Sequence, residues 1–310
     1  MGIRGETVAT PMQVILLGTG AALPTPERRT SATAVLSEGE ILLFDCGEGT
    51  QLQLRKAGLR HGRLSRVFIT HMHGDHVIGI MGLLMTMELS GRERPIELYG
   101  PAALADYVTT SARLLSTGFR YPIVFHEAQA GTICETETYT VECLPLNHRI
   151  LTYGYALQER DKPGTFDVAR AELLGIPKGP LYGLLQKGQS VTLPDGLTVH
   201  SHDVLGAPKR GRRIAYCLDT RPCPEAAILA RDADLLLYDS TLAPGAEQEA
   251  ADKGHSTSRQ AAVLAKEAGV KRLVLTHISS RYTDARELLI GLEGLHDDIV
   301  MARDLMELSI

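Results

Sequence analysis

Thr70-His71-Met72-His73-Gly74-Asp75-His76 gathers four side chains of metal-ligand type within seven residues. The apolar run before it, Val67–Thr70, reads as a strand. In extended chain His71 and His73 lie two apart and point to the same side. Gly74 permits a sharp turn, and Asp75 and His76 then open a helix whose apolar period runs over Val77–Met87. Imidazole and carboxylate are the donors that zinc and similar divalent ions favour. Four of them this close together suit two adjacent ions better than one.

Further ligands must come from elsewhere in the chain, and one kind of position supplies them. His148 follows the apolar stretch Val141–Leu146, Asp219 follows Ile214–Leu218, and His277 follows Leu273–Thr276. The carboxyl ends of strands are where open α/β sheets collect their sites. Two metals bridged by a carboxylate polarise a phosphoryl or acyl centre and lower the pKa of a water between them. A leaving oxygen also needs a proton. His255, in Gly254-His255-Ser256-Thr257, is a candidate donor, although the same stretch also reads as the cap of the helix that follows. Asp45, in Asp45-Cys46-Gly47-Glu48-Gly49-Thr50, follows another strand and either supports a ligand histidine or shapes a turn. Gly18-Thr19-Gly20 lacks the third glycine and the helix of a dinucleotide fingerprint. Lys209–Arg213 is the densest basic run, either a phosphate contact or a solvated loop.

Other strands are expected at Gln13–Leu17, Ala32–Leu36, Ile41–Phe44, Ile96–Tyr99, Tyr139–Leu146, Tyr153–Leu157, Leu197–His200, Arg213–Leu218 and Leu235–Tyr238. Helical periodicity marks Ala102–Leu115, Pro224–Ala230 and Ser258–Ala268. Strands crowd the first part and alternate with helices in the second, which predicts an α/β protein with sheets packed between helices. Glu159–Gly196 is punctuated by Pro163-Gly164, Pro177, Gly179-Pro180, Gly183 and Gly188, and reads as an insertion without core elements. Residues 1–11 read as an N-terminal extension and residues 12–310 as one catalytic domain carrying that insertion.

The composition narrows the partners. The chain has 310 residues, 44% hydrophobic and 22% charged, which excludes disorder as its main state. A formal net charge of −5, no Trp and 5% aromatics exclude a general nucleic-acid-coating protein, so any RNA must meet local basic patches. The five cysteines are scattered without a CxxC pair, as expected of free thiols in a reducing cytoplasm. No apolar run reaches the roughly 20 residues of a membrane span, so no membrane partner is expected.

THMHGDH, with His148, Asp219 and His277 behind it, resembles the metallo-β-lactamase superfamily. The stretches LGTGAALPTPERRTSA (17–32), LLFDCGEGTQ (42–51), CLDTRP (217–222), GHSTSRQAA (254–262) and LTHISSRY (275–282) narrow the resemblance to the short bacterial ribonuclease Z family. The resemblance implies a four-layer αββα fold with a protruding flexible arm at about 159–196. It implies two Zn2+ per subunit: His71, His73 and His148 on the first, Asp75, His76 and His277 on the second, with Asp219 bridging. It implies Asp75 as proton acceptor for the attacking water and His255 as the residue assisting departure of the 3′ oxygen. The activity implied is endonucleolytic removal of 3′ trailers from precursor tRNA by a homodimer. In it the arm, with Lys178, Gly179, Pro180 and Lys187, grips the tRNA; Arg210 and Arg212 of the basic run are further candidate RNA contacts by their charge. A dimetal phosphodiesterase acting on small or other RNA substrates is the alternative, and manganese or iron could replace zinc on these donors.

Two departures stand out. Where the family carries His-Glu-Ala-Thr, this chain has Tyr238-Asp239-Ser240-Thr241, with a carboxylate one methylene shorter. The arm also balances Arg160, Lys162, Arg170, Lys178 and Lys187 against Glu159, Asp161, Asp167, Glu172 and Asp195.

Overall fold

The computed structural model describes residues 12–310, and the expected N-terminal extension, residues 1–11, lies outside them. Strands buried on both faces need near-continuous apolar sequence, and the second half supplies it in Leu235–Asp239 and Arg272–Thr276. These two run parallel in a seven-stranded sheet ordered Ile299–Met301, Arg272–Thr276, Leu235–Asp239, Arg213–Cys217, Tyr153–Glu159, Tyr139–Pro145, Gly131–Glu135. Six strands of the first half and one from the C-terminal end build a second seven-stranded sheet ordered Met306–Ser309, Gln13–Gly18, Ala32–Ser37, Glu40–Phe44, Leu64–Phe68, Ile96–Gly100, Ile123–Glu127.

The period of two along each strand sends alternate residues to opposite faces. Ile15, Leu17, Leu43, Val67 and Leu98 cluster with Leu54, Ile80, Leu84 and Val108 from helices on one side of the first sheet. Phe44 and Phe68 point the other way and meet Tyr155 and Tyr216 of the second sheet, with ring centroids 5.5–6.1 Å apart. Each such pair adds about 0.5–1.5 kcal/mol to its area burial. On the far side of the second sheet, Leu236, Tyr238, Leu273 and Leu275 pack against Ala226, Leu229, Ala261 and Ala265 of helices Pro224–Ala230 and Ser258–Glu267. The result is the expected αββα order of helices and sheets. Among the described residues no helix is long and apolar enough to cross a membrane, and all five cysteines are free and buried.

Local signals set most boundaries, and tertiary contacts shift some. Thr257 caps the helix Ser258–Glu267 in a capping box with Gln260, as the sequence suggests. The strand expected over Val67–Thr70 is instead Leu64–Phe68, because the Thr70 N–H turns to the Asp45 carboxylate at 2.8 Å and leaves the ladder. The strand expected at 197–200 shrinks to Thr198–Val199. The strands Ile123–Glu127 and Gly131–Glu135 and the helices Thr50–Lys56 and Glu247–Lys253 carry too little periodicity to be read from sequence.

The described chain divides into two compact units, and the second consists of Glu137–Tyr139 and Glu159–Arg212. It therefore runs past Gly196 and takes in most of the basic run. The expectation that this insertion holds no core element is corrected. Helices Val168–Leu173 and Pro180–Gln186 and the hairpin Val191–Thr192/Thr198–Val199 enclose Ala171, Ile176, Leu185, Val191, Leu193, Val199 and Val204. Gly179 and Pro180 open the second helix, while Gly183 lies inside it.

Candidate metal centre

Three of the site's residues lie just past strand ends and share one unusual backbone state. Asp45, Asp219 and His277 have φ of 58°, 52° and 59°, as does Ala22 at 59°. Non-glycine residues rarely adopt this left-handed conformation, and surrounding contacts must hold it. Here it turns Asp219 and His277 into the cleft and Asp45 against the back of His76. Gly47 lets the loop after Asp45 approach closely: a Cβ there would lie 2.4 Å from the Asp75 carbonyl. Backbone bonds from Cys46 N–H to the His76 carbonyl (2.8 Å) and from Gly79 N–H to the Cys46 carbonyl (2.9 Å) then clamp the ligand-bearing helix start.

The histidine orientations follow from their outer nitrogens. His76 Nδ1 donates to Asp45 at 2.7 Å, His148 Nδ1 to the Gly254 carbonyl at 2.7 Å, and His277 Nδ1 to Thr241 Oγ1 at 2.9 Å. His71 Nδ1 lies 2.9 Å from Thr70 Oγ1, whose own proton goes to Asp45. Fixing the proton on Nδ1 leaves an Nε2 lone pair facing inward on each ring. Asp45 thus orients the His76 ring and is no mere turn residue; Tyr216 Oη donates to it at 3.1 Å.

The inward atoms fall into two sets. His71 Nε2, His73 Nδ1, His148 Nε2 and Asp219 Oδ2 are separated by 2.9–3.6 Å along their close pairs. Asp75 Oδ2, His76 Nε2 and His277 Nε2 lie 3.3–3.6 Å apart, and Asp219 Oδ1 approaches His76 Nε2 and His277 Nε2 at 3.1 Å and 3.0 Å. A tetrahedral ion with bonds of about 2.0–2.1 Å holds its ligands about 3.3 Å apart. Asp219 Oδ1 is buried without a hydrogen bond, though two imidazole nitrogens approach it within 3.1 Å. Converging lone pairs around an orphaned buried oxygen are what a divalent cation satisfies. All seven residues expected as ligands meet here, each offering one atom per ion, and the donor set fits a divalent-metal centre.

Charge in the cleft is strongly coupled. Burial alone would lower the His277 imidazole; Asp219 outweighs it and lifts it to about 10. Burial and the neighbouring imidazoles push His71 down to about 2. Burial would raise the Asp75 carboxyl, but bonds from His277 and His76 hold it well below the usual range. The Ala22 N–H adds a third partner to Asp75 at 2.8 Å.

His255 lies in the same cleft, its ring 5.1 Å from that of His148 and 5.4 Å from that of His277. Its Nδ1 donates to Asp239 Oδ2 at 2.8 Å. The shorter carboxylate therefore reaches its histidine at hydrogen-bond distance. The other Asp239 oxygen accepts Thr241 Oγ1 at 2.8 Å, so one buried carboxylate steadies both His255 and, through Thr241, His277. The cleft has a volume of about 560 Å³.

Comparison with known proteins agrees with this geometry. A family model described as "Anti-Pycsar protein Apyc1" matches residues 12–154, and one described as "Beta-lactamase superfamily domain" matches residues 187–278. The chain is 44% identical to "Ribonuclease Z" of Acaryochloris marina, covering 96% of this chain and 98% of that one. The chain belongs to the ribonuclease Z family. It is 40% identical to "Ribonuclease BN" of Cronobacter sakazakii, over 96% of this chain and 100% of that protein. The solved structure of human tRNase Z, short form, superposes with a TM-score of 0.71 at 31% identity, over 96% of this chain and 99% of that one.

Within the family's arm segment, several expected RNA-contacting residues have partners in their own unit. Arg212 grips Glu159 with two bonds, Nε to Oε2 at 2.7 Å and Nη2 to Oε1 at 3.1 Å, and Lys178 pairs with Glu172 at 2.6 Å. Gly179, Pro180, Lys187 and Arg210 are exposed. Sequence reasoning missed Thr70 and Thr241, the hydroxyls behind His71 and His277.

Proposed function

We propose that this ribonuclease Z family member removes 3′ trailers from precursor tRNA by a phosphodiester cleavage that depends on two divalent ions, zinc on these donors. The observation that carries the reading is the His71–His73–His148–Asp219 group beside the Asp75–His76–His277 group, with Asp219 Oδ1 against His76 and His277 and with His255 backed by Asp239 in the same cleft. His71, His73 and His148 would hold one ion, Asp75, His76 and His277 the other, and Asp219 both. Ions bound there would activate a water and neutralise charge on the attacked phosphate oxygens.

The chain's own groups do the rest. Asp75 accepts the proton of the attacking water as its oxygen bonds to phosphorus. The P–O3′ bond breaks on the opposite side. His255, oriented by Asp239 through Nδ1, gives a proton from Nε2 to the departing 3′ oxygen. The tRNA leaves with a 3′-hydroxyl and the trailer with a 5′-phosphate. Lys187 and Arg210, with Lys178, Gly179, Pro180 and Arg212, are proposed RNA contacts of the arm unit. The protein acts in the cytoplasm as a homodimer.

The test is direct. Metal-loaded protein is incubated with a 3′-extended tRNA and both new ends are mapped. A 3′-hydroxyl on the tRNA and a 5′-phosphate on the trailer are expected, and Asp75→Ala should end turnover while tRNA still binds. An intact precursor after exposure to the loaded wild type refutes the proposal.

A further inference from the structure

Three cations that carry charge at all working pH line the metal cleft: Arg149, Lys253 and Arg281. Two are compensated. Glu249 accepts Lys253 Nζ at 2.7 Å and both terminal nitrogens of Arg281, at 3.0 Å and 2.5 Å. One carboxylate thus counters two cations on that part of the rim. Arg149 differs. It is exposed, and among the described residues it forms no hydrogen bond and no ion pair.

Its place is nonetheless defined. It directly follows His148, whose Nδ1 donates to the Gly254 carbonyl. Its stem rests against Gly254: a Cβ built on that glycine would lie 3.2 Å from Arg149 Cγ and 2.7 Å from His148 Nδ1. Gly254 has φ of 84° and precedes His255. The guanidinium is therefore carried on the part of the rim that bears the proton donor for the departing oxygen. A buried cation would face the scissile phosphate, which the ligand sets already serve. An exposed one at the mouth meets the next phosphate along the strand.

We propose that Arg149 binds the backbone phosphate adjacent to the scissile one, on the tRNA side of the cut. The inference rests on the endonuclease reading above. A free guanidinium offers a planar fork to two phosphate oxygens at the cost of breaking no existing ion pair. It fixes the strand's register one nucleotide from the reacting bond and reads no base.

Binding of a 3′-extended tRNA is measured against salt for the wild type, Arg149→Ala and Arg149→Lys, alongside kcat/KM and bound-metal content. Arg149→Ala should weaken binding about 3- to 10-fold near 0.1 M salt. It should also flatten the slope of log affinity against log salt by about 0.7, the value for one single-strand phosphate. Arg149→Lys should restore the slope, and kcat/KM should fall with affinity. Unchanged binding and slope in Arg149→Ala overturn the proposal. So does loss of bound metal, which would make Arg149 a prop for His148. A wild type that binds the RNA without cutting it counts against the endonuclease reading alone, because the slope comparison still reports on Arg149.

Discussion

Replacing Asp239 by Asn tests the proton-donor arrangement most sharply. The carboxylate is fully buried and accepts four hydrogen bonds. Oδ2 takes His255 Nδ1 at 2.8 Å and Thr220 N–H at 3.0 Å; Oδ1 takes Thr241 Oγ1 at 2.8 Å and Thr241 N–H at 3.0 Å. Burial would raise this carboxyl, but the His255 charge and bond outweigh it and hold its pKa low. An amide keeps the shape, yet one end becomes an NH2 facing a backbone N–H. Whichever way it flips, a buried donor is stranded, costing about 1–3 kcal/mol of stability. When the amide nitrogen faces His255, the imidazolium loses a charge-assisted bond worth about 1.5–3 kcal/mol. That converts to a loss of about 10- to 150-fold in the step that protonates the leaving oxygen.

The assay compares two substrates. Single-turnover cleavage of a 3′-extended tRNA has a poor leaving group that needs the proton. A nitrophenyl phosphodiester has a leaving group that departs as an anion. Asp239→Asn should lose about 10- to 150-fold on the RNA and far less on the aryl diester, with bound metal retained. Equal losses on both substrates would refute the proton-donor role and make Asp239 a support of the metal centre through Thr241.

Other outcomes follow from the same geometry. Asp219→Ala removes an atom from both ligand sets, so metal analysis should show loss at both, and retention of either ion would refute the bridging role. In the metal-free protein His277 holds its proton up to about 10, so its stabilising contribution is present below the ordinary value of about 6.5 and is lost as pH rises through about 10. A binding metal must displace that proton, so calorimetry in two buffers should show proton release and affinity rising from pH 6 to 9. Glu249→Gln releases Lys253 and Arg281 and should tighten RNA binding with a steeper salt slope; an unchanged slope would show that neither cation meets phosphate. Deleting residues 162–189 should collapse tRNA cleavage and spare the aryl diester, whereas equal loss on both would favour a phosphodiesterase without a tRNA-gripping arm.

The candidate metal ligands were legible in sequence because their chemistry is local in two senses. His71, His73, Asp75 and His76 sit within six residues, and His148, Asp219 and His277 each close an apolar run. The alternation of apolar runs and helical periods likewise determined an α/β class and most strand positions. The family resemblance already implied how the residues divide; the structure adds the distances, with Asp219 Oδ2 near His71 and His148 and Oδ1 near His76 and His277. The hydroxyls of Thr70 and Thr241 are ordinary residues until folding puts an imidazole beside them. Punctuation by glycine and proline concealed the core of the inserted unit, because those residues mark element ends whether or not the elements pack. Charge balance misled in the same way. Sequence counts Arg149, Arg212 and Arg281 as equal cations, and only tertiary contacts show that Glu159 and Glu249 answer two of them and leave Arg149 facing the cleft. Sequence lists which groups the chain carries; an ion pair or a bridged metal depends on distances of a few ångströms, which only folding sets.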